Sequence, residues 1–224
     1  MQSLHIIDGV VDEKVDLNAE YPIVEIFHSV QGEGFHSGIP HVFIRFGGCN
    51  LRCTWCDTDF DQYEKMKASE IVTEVLQYNC KRIIFTGGEP MLQDLWPLHR
   101  LFKKRGFNLS VESNGTIEIP EGLLDWICIS PKDQVYPNSK VRQRTGNELK
   151  VVYVGQDLSL YDELKIGFDH RFLQPCYVDT AYPSVSMLGG WCTIALQRHA
   201  HTCPSTDALD LSVISSRLSR IPLQ

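Results

Sequence analysis

The run His41-Val42-Phe43-Ile44-Arg45-Phe46-Gly47-Gly48-Cys49-Asn50-Leu51-Arg52-Cys53-Thr54-Trp55-Cys56 decides how the chain is read. Its first six residues are mostly apolar and strand-prone, and a glycine pair then breaks the strand. Three thiols follow, separated by three and then two residues, on one short loop. That spacing places Cys49, Cys53 and Cys56 to share a metal centre. Thiolates are soft ligands that suit iron–sulfur clusters or zinc. A set of three leaves a cubane cluster with one iron open to an exogenous ligand, which points to chemistry rather than to a structural staple. A zinc knuckle would want a fourth Cys or His at compact spacing. His36 and His41 are the nearest upstream residues, and neither forms a C-x2-C or H-x3-H pair, so zinc is the weaker reading.

Outward from this run the same arrangement repeats. Upstream, Ile23-Val24-Glu25-Ile26-Phe27 reads as a strand that enters Ser29-Val30-Gln31-Gly32-Glu33-Gly34. Downstream, Ser69 is placed to cap a helix over residues 70–76. Arg82-Ile83-Ile84-Phe85 ends in Thr86-Gly87-Gly88-Glu89-Pro90, and a helix from Gln93 to Arg105 stops at Gly106. Asn108-Leu109-Ser110-Val111 ends in Glu112-Ser113-Asn114-Gly115-Thr116, and Trp126-Ile127-Cys128-Ile129 ends in Ser130-Pro131-Lys132. Then come a strand over 149–154, a helix near 159–166, and Arg171-Phe172-Leu173 ending in Gln174-Pro175. Strands alternating with helices predict an α/β fold with a parallel sheet. Each polar motif falls at the carboxyl end of a strand, where such sheets place their ligands. About six parallel strands are too few for an eight-unit barrel, so a partial (β/α) barrel with helices outside is expected.

No linker or repeat divides the 224 residues, so one domain is expected over 1–224, with 1–20 a loose N-terminal arm. The apolar share of 43% and charged share of 22% are those of a globular protein. No secretory signal and no run long enough to span a membrane are seen, so a cytoplasmic protein with no membrane association is expected. Reduced thiols then remain available for metal, with Cys80, Cys128, Cys176 and Cys192 reading as small buried hydrophobes. A net charge of −7 argues against nucleic-acid binding, which is largely cationic.

The C-x3-C-x2-C pattern, with Trp55 before the last Cys, resembles the cluster motif of the radical S-adenosylmethionine (SAM) superfamily. Gly87-Gly88-Glu89-Pro90 is similar to that superfamily's GGEP motif, whose Glu and backbone take the SAM amino group. Four further stretches narrow the likeness: Val30-Gln31-Gly32-Glu33-Gly34, Cys56-Asp57-Thr58, Glu112-Ser113-Asn114-Gly115-Thr116, and Phe172-Leu173-Gln174-Pro175 with Gln197-Arg198-His199. Together, over about residues 22–199, they resemble the 7-carboxy-7-deazaguanine synthases of queuosine and deazapurine biosynthesis. The resemblance implies a radical SAM lyase that converts 6-carboxy-5,6,7,8-tetrahydropterin to 7-carboxy-7-deazaguanine with ring contraction and loss of ammonia. It implies a 4Fe-4S cluster, S-adenosyl-L-methionine and Mg2+, a reducing electron donor such as flavodoxin or ferredoxin, and a homodimer.

Carried over by position, Cys49, Cys53 and Cys56 hold the cluster and Thr58 the magnesium. Trp55, Cys56, Asp57, Gly87, Gly88, Glu89, Gly115, Ser130, Pro131 and Lys132 line SAM. Val30, Gln31, Gly32, Arg45, Ser113, Gln174 and His199 meet the substrate. Arg45 also makes chemical sense alone, because a guanidinium can grip a carboxylate bidentately. The chain departs from the family beyond His199, where Ala200 stands in place of a Lys and an atypical tail covers 200–224. His199, with His201 and Cys203 of that tail, lacks an obvious fourth ligand for a second metal site. Two other readings remain at this point. A glycyl-radical-enzyme activase also carries C-x3-C-x2-C but acts on a protein, and an iron–sulfur redox module would do no chemistry on SAM.

Overall fold

The computed structural model of the protein describes residues 15–132, 139–154, 156–175 and a two-residue strand at 192–193. Its sheet is built outward from β1 (Glu20–Val30) and β2 (Pro40–Phe46). Then follow β3 (Glu64–Lys67), β4 (Arg82–Gly87), β5 (Asn108–Ser113), β6 (Trp126–Ile129), β7 (Gly146–Tyr153), β8 (Phe168–Pro175) and β9 (Cys192–Thr193). The order across the sheet is β3-β1-β2-β4-β5-β6-β7-β8-β9. From β2 to β9 every pairing is parallel, while β1 is antiparallel to both of its neighbours. The six longer parallel strands expected from sequence are therefore present, and the described sheet stays open between β3 and β9.

Strand alternation divides the residues between two faces. Val42, Ile44, Phe46, Ile83, Phe85, Leu109, Val111, Ile129, Leu149 and Val151 pack into the core with the helices. Helix α1 (Ala68–Val75) contributes Ile71, Val72 and Val75, and α2 (Trp96–Lys103) contributes Leu98, Leu101 and Phe102, all at 0–2% exposure. Burying such side chains stabilises the fold by roughly 1.5–3 kcal/mol each. The alternate positions, including His41, Arg45, Glu112, Glu148 and Lys150, form an inner face that carries the polar groups.

Several boundaries differ from the sequence expectation. Within the arm expected over 1–20, the described residues are ordered against the fold: Val15 is buried, and Leu17 and Ala19 pack on the core. The cause is backbone pairing, since Ala68 N donates to Ala19 O at 2.8 Å and Ser69 N to Leu17 O at 3.2 Å. Those bonds also displace Ser69 from the cap, because they satisfy first-turn amides that a capping side chain would otherwise take. Lys67 stands at the cap instead, and its amide donates to Glu70 Oε2 at 2.7 Å. The helix expected at 93–105 begins only at Trp96, whose amide is held by Asp94 Oδ1 at 3.1 Å. The segment expected as a helix near 159–166 is instead two 3-10 turns, Leu158–Tyr161 and Leu164–Gly167, ahead of β8 at Phe168. Among the described residues no helix is long and apolar enough to cross a membrane.

Candidate active site

The cysteine loop leaves β2 through Gly47 and Gly48, whose amides donate to Pro22 O at 2.9 Å and Phe60 O at 2.8 Å. Cys56 N donates to Cys53 O at 3.1 Å, closing a turn within the motif. Cys49 and Cys53 are half-buried and Cys56 is exposed. Burial pushes the Cys49 and Cys53 thiols up, while the nearby Lys132 ammonium pulls Cys53 the other way. Among the described residues no three His, Cys, Asp or Glu side chains could hold a single metal ion. A cubane presents separate irons to separate thiolates, so three thiols spaced along one loop fit it.

The second wall of the site is the strand-end loop after β4. Gly88 N donates to Phe46 O and Glu89 N to Gly48 O, both at 2.9 Å. The Gly87-Gly88 segment is thereby fastened to the start of the cysteine loop. Glu89 is at 0% exposure and its carboxylate is used within the protein. Oε1 accepts Met91 N and Ser113 Oγ at 2.9 Å each, and Oε2 accepts Asn114 N at 2.8 Å. Burial raises its pKa, and these donors work against the rise. Glu89 therefore caps the short 3-10 turn Pro90–Leu92 and ties it to the end of β5. Ser113 also accepts Gly115 N at 3.0 Å, so its hydroxyl is engaged with Glu89 and Gly115 rather than with the inner face.

Asn50, which carried no signal in the sequence, bridges the cysteine loop to the same place. Its Nδ2 donates to Thr116 Oγ1 at 2.7 Å, and its Oδ1 accepts Asn114 Nδ2 at 2.9 Å. Ser130 N donates to Ser113 O at 2.8 Å, which brings Ser130, the buried Pro131 and Lys132 to this wall. The Lys132 ammonium donates to Ser130 O at 2.8 Å and lies 5.4 Å from the centre of the Trp55 ring. Burial lowers its pKa, and the neighbouring Cys53 acts to raise it. Trp55 Nε1 is buried with no hydrogen-bond partner among the described residues. A buried donor left open beside three thiols fits a ligand that brings its own acceptor.

Arg45 and Thr58 meet directly, with NH1 donating to Thr58 Oγ1 at 3.1 Å. Thr58 Oγ1 donates in turn to Asp57 Oδ1 at 3.3 Å. Arg45 Nε is held by Glu25 Oε1 at 2.7 Å. The guanidinium NH2 group makes no hydrogen bond among the described residues, and the guanidinium lies 5.7 Å from the centre of the Phe27 ring.

Comparison with known proteins agrees with this geometry. Residues 43–135 match the Radical SAM superfamily. The chain is 46% identical to the 7-carboxy-7-deazaguanine synthase of Bacteroides thetaiotaomicron over 154 residues, covering 69% of this chain and 81% of the relative. It is 39% identical to the enzyme of the same name from Haemophilus influenzae over 170 residues, covering 73% and 79%. The chain belongs to the 7-carboxy-7-deazaguanine synthase family. A crystal structure of QueE from Escherichia coli superposes with a TM-score of 0.61 at 30% identity, covering 70% of this chain and 83% of that one.

Of the substrate-side residues that the synthase resemblance implied, Val30 is 37% exposed at the end of β1, and Gln31 is buried just beyond it. Gly32 accepts Ser37 Oγ at 3.4 Å in the same loop. Gln174 lies on β8 opposite Val152, half-buried. His199 lies outside the described residues, as do His201, Cys203, Cys176 and the side chain of Cys192. Cys80 and Cys128 are buried, as expected. Sequence reasoning missed Glu148 and Lys150, both 4% exposed and both on the inner face. Their signal was present as charged residues alternating with Leu149 and Val151 in a strand otherwise read as apolar.

Proposed function

We propose that this chain converts 6-carboxy-5,6,7,8-tetrahydropterin to 7-carboxy-7-deazaguanine, releasing ammonia, in the deazapurine pathway that leads to queuosine. The observation that carries the reading is the Arg45–Thr58 contact at 3.1 Å, on the strand that feeds the cysteine loop. It sets a carboxylate-gripping cation and a hard oxygen ligand side by side at the open end of the inner face.

When bound, a 4Fe-4S cluster with SAM supplies a carbon radical and Mg2+ supplies a hard cation for the rearranging substrate. Cys49, Cys53 and Cys56 would hold the cluster. Trp55, Asp57, the Gly87–Glu89 loop, Gly115 and the Ser130–Lys132 segment would position SAM. Glu89 acts there through its grip on the end of β5, which keeps the loop at its distance from Gly48. Arg45 would orient the substrate carboxylate, Thr58 would ligate magnesium, and Gln31, Gln174 and His199 would complete the substrate side. A small pterin and a reductant are the partners of this chemistry. Reduction by flavodoxin or ferredoxin, a homodimeric assembly and a cytoplasmic location are part of the same proposal.

The test is anaerobic incubation of the cluster-loaded protein with SAM, Mg2+, dithionite and the carboxytetrahydropterin, followed by mass spectrometry. Appearance of the carboxydeazaguanine with loss of ammonia is expected. SAM cleavage with the pterin recovered unchanged would overturn the reading and leave a protein-directed activase in its place.

A further inference from the structure

The loop after β1 does more than present a ligand surface. Because β1 is antiparallel to β2, residues 31–39 leave at the amino end of the parallel strands. The loop is pinned to itself by Gln31 N to Ile39 O at 2.9 Å and Gly38 N to Gln31 O at 2.8 Å. From there it crosses the inner face to β5, β6, β7 and β8. Gln31 Nε2 donates to Glu112 Oε1 at 2.8 Å, and Phe35 N to Glu148 Oε2 at 3.4 Å. The Phe35 ring stacks on His170 at 4.1 Å and Trp126 at 5.0 Å. A Cβ on Gly34 would stand 1.8 Å from Glu148 Oε1 at a φ of +67°, so any other residue here must displace the Glu148 carboxylate and adopt a left-handed backbone.

At the centre of the crossing sits Lys150, whose side chain is 5% exposed. Its Nζ donates to Glu33 Oε2 at 2.8 Å and to Glu112 Oε1 at 2.9 Å. One cation therefore joins the loop to β5 from a position on β7. Replacing a buried ion cluster with apolar residues is often neutral for stability, so stability alone is a weak reason for an ammonium here. What the ammonium does supply is register. Glu112 Oε1 is taken twice, by Lys150 and Gln31, and Oε2 takes no hydrogen bond among the described residues. A small cavity is lined by Gln31, Glu33, Ser110, Glu112 and Glu148, and the Ser110 hydroxyl is buried without a partner among the described residues. The cavity is too small to admit a ring, so the group left open toward a heterocycle is Glu112 Oε2.

We propose that Lys150 is a positioning residue for the reaction, locking the Gln31–Phe35 strap across the inner face and fixing Glu112 toward the pterin. The inference rests on the proposed function for the identity of the ligand, but the lock itself is a property of this chain. The groups facing Glu112 are Lys150, Glu148, Cys128, His41, Gln31, Glu33 and Lys132. Burial pushes the Glu112 carboxyl up. The Lys150 charge and the hydrogen bonds from Lys150 and Gln31 outweigh burial and hold it below the ordinary range. Without the ammonium, burial acts unopposed by its strongest partner and the carboxyl titrates at higher pH.

The test uses the cluster-loaded protein and its Lys150→Met and Lys150→Arg variants. In Lys150→Met, KM for the carboxytetrahydropterin is expected to rise about tenfold at neutral pH and to fall again as pH is raised, with kcat at saturation less affected. Lys150→Arg is expected to recover most of the affinity and the flat pH profile. SAM cleavage without the pterin should not change in either variant. A Lys150→Met KM within about twofold of the parent, with the same pH profile, would overturn the proposal. Hydrogen exchange of the Gln31, Phe35 and Gly38 amides is read on the same proteins and should accelerate about tenfold in Lys150→Met while β4 amides do not move. Should Lys150→Met fail to fold, Glu33→Gln tests the lock: faster strap exchange and a raised KM support it, and no change in either overturns it. If the parent leaves the pterin untouched, the proposed function fails alone, and the exchange measurement still decides the lock.

Discussion

A Cβ placed on Gly88 would stand 1.8 Å from the carbonyl oxygen of Gly48. The cysteine loop and the loop after β4 therefore touch backbone to backbone, with Glu89 N bonded to that same carbonyl at 2.9 Å. Gly88→Ala must push the two loops apart, because the colliding atom belongs to the main chain and cannot rotate away. Overpacking of this kind costs about 1–3 kcal/mol. The expected outcome is a lowered melting temperature together with a loss of SAM affinity by calorimetry. Unchanged SAM affinity would mean that the approach of the loops is incidental to the site.

Glu89 is expected to matter to stability as well as to SAM. Its carboxylate satisfies Met91 N, Asn114 N and Ser113 Oγ in a fully buried setting. Glu89→Gln turns an amide NH2 toward at least one of these donors, and Glu89→Ala leaves all of them open. Losses of about 2 and 3 kcal/mol respectively are expected from hydrogen bonds to a charged group. Denaturant unfolding of the cluster-free chain checks this apart from any cofactor. An Ala variant as stable as the parent would show that water or a shift of the loop replaces the carboxylate.

The strand ends were legible because strand and glycine signals agree there. β4, β5 and β6 each end within two residues of the expected place, and the Gly-rich motifs follow. β3 was not legible, since Glu64-Lys65-Met66-Lys67 is mostly charged and exposed, and it forms by pairing with the edge of β1 while Met66 packs on the core. The face of a residue is written only in the alternation along its strand. Ser113 shares its face with Leu109 and Val111 and turns to Glu89, while Glu112 takes the inner face. Lys150 looked like one charge in an apolar strand, and its two carboxylate partners lie 38 and 117 residues away. Contacts of that sequence separation leave no local pattern.

Asp125 links α2 to β5 by accepting Lys103 Nζ at 2.7 Å and Leu109 N at 2.8 Å. Burial works to raise its pKa, but the bonds from Lys103 and Leu109 win and the carboxyl titrates below its ordinary value. A carboxyl depressed in the folded state adds stability that is present above its unfolded pKa, about 3.9, and is lost as pH falls through the folded value. Both side chains are about a third exposed, so solvent screening keeps the effect near 1 kcal/mol. Asp125→Asn should therefore be less stable than the parent at pH 7, with the gap closing as pH drops below about 4. A gap that stays constant through that range would assign the loss to packing.

The last prediction concerns Thr58. Its oxygen accepts Arg45 NH1 at 3.1 Å, a contact that puts a cation where a divalent metal would bind. If Thr58 holds magnesium, Arg45 would have to release that bond, because the guanidinium and the metal repel each other. A substrate carboxylate would draw Arg45 away from Thr58, while Glu25 keeps the guanidinium anchored through Nε at 2.7 Å. Magnesium and the carboxylated substrate should therefore bind with positive coupling, each raising the affinity of the other. Thr58→Val keeps the shape and removes the oxygen, so it should abolish magnesium stimulation of ring contraction while SAM binding and iron content stay unchanged. Thr58→Ser should restore the stimulation. Arg45→Lys leaves the metal's oxygen in place but loses the planar grip, so it should raise KM for the pterin about tenfold and weaken the coupling. Titration of substrate with and without magnesium measures the coupling directly. Equal substrate affinity in the two titrations, or a Thr58→Val protein that still responds to magnesium, would remove the metal from this place.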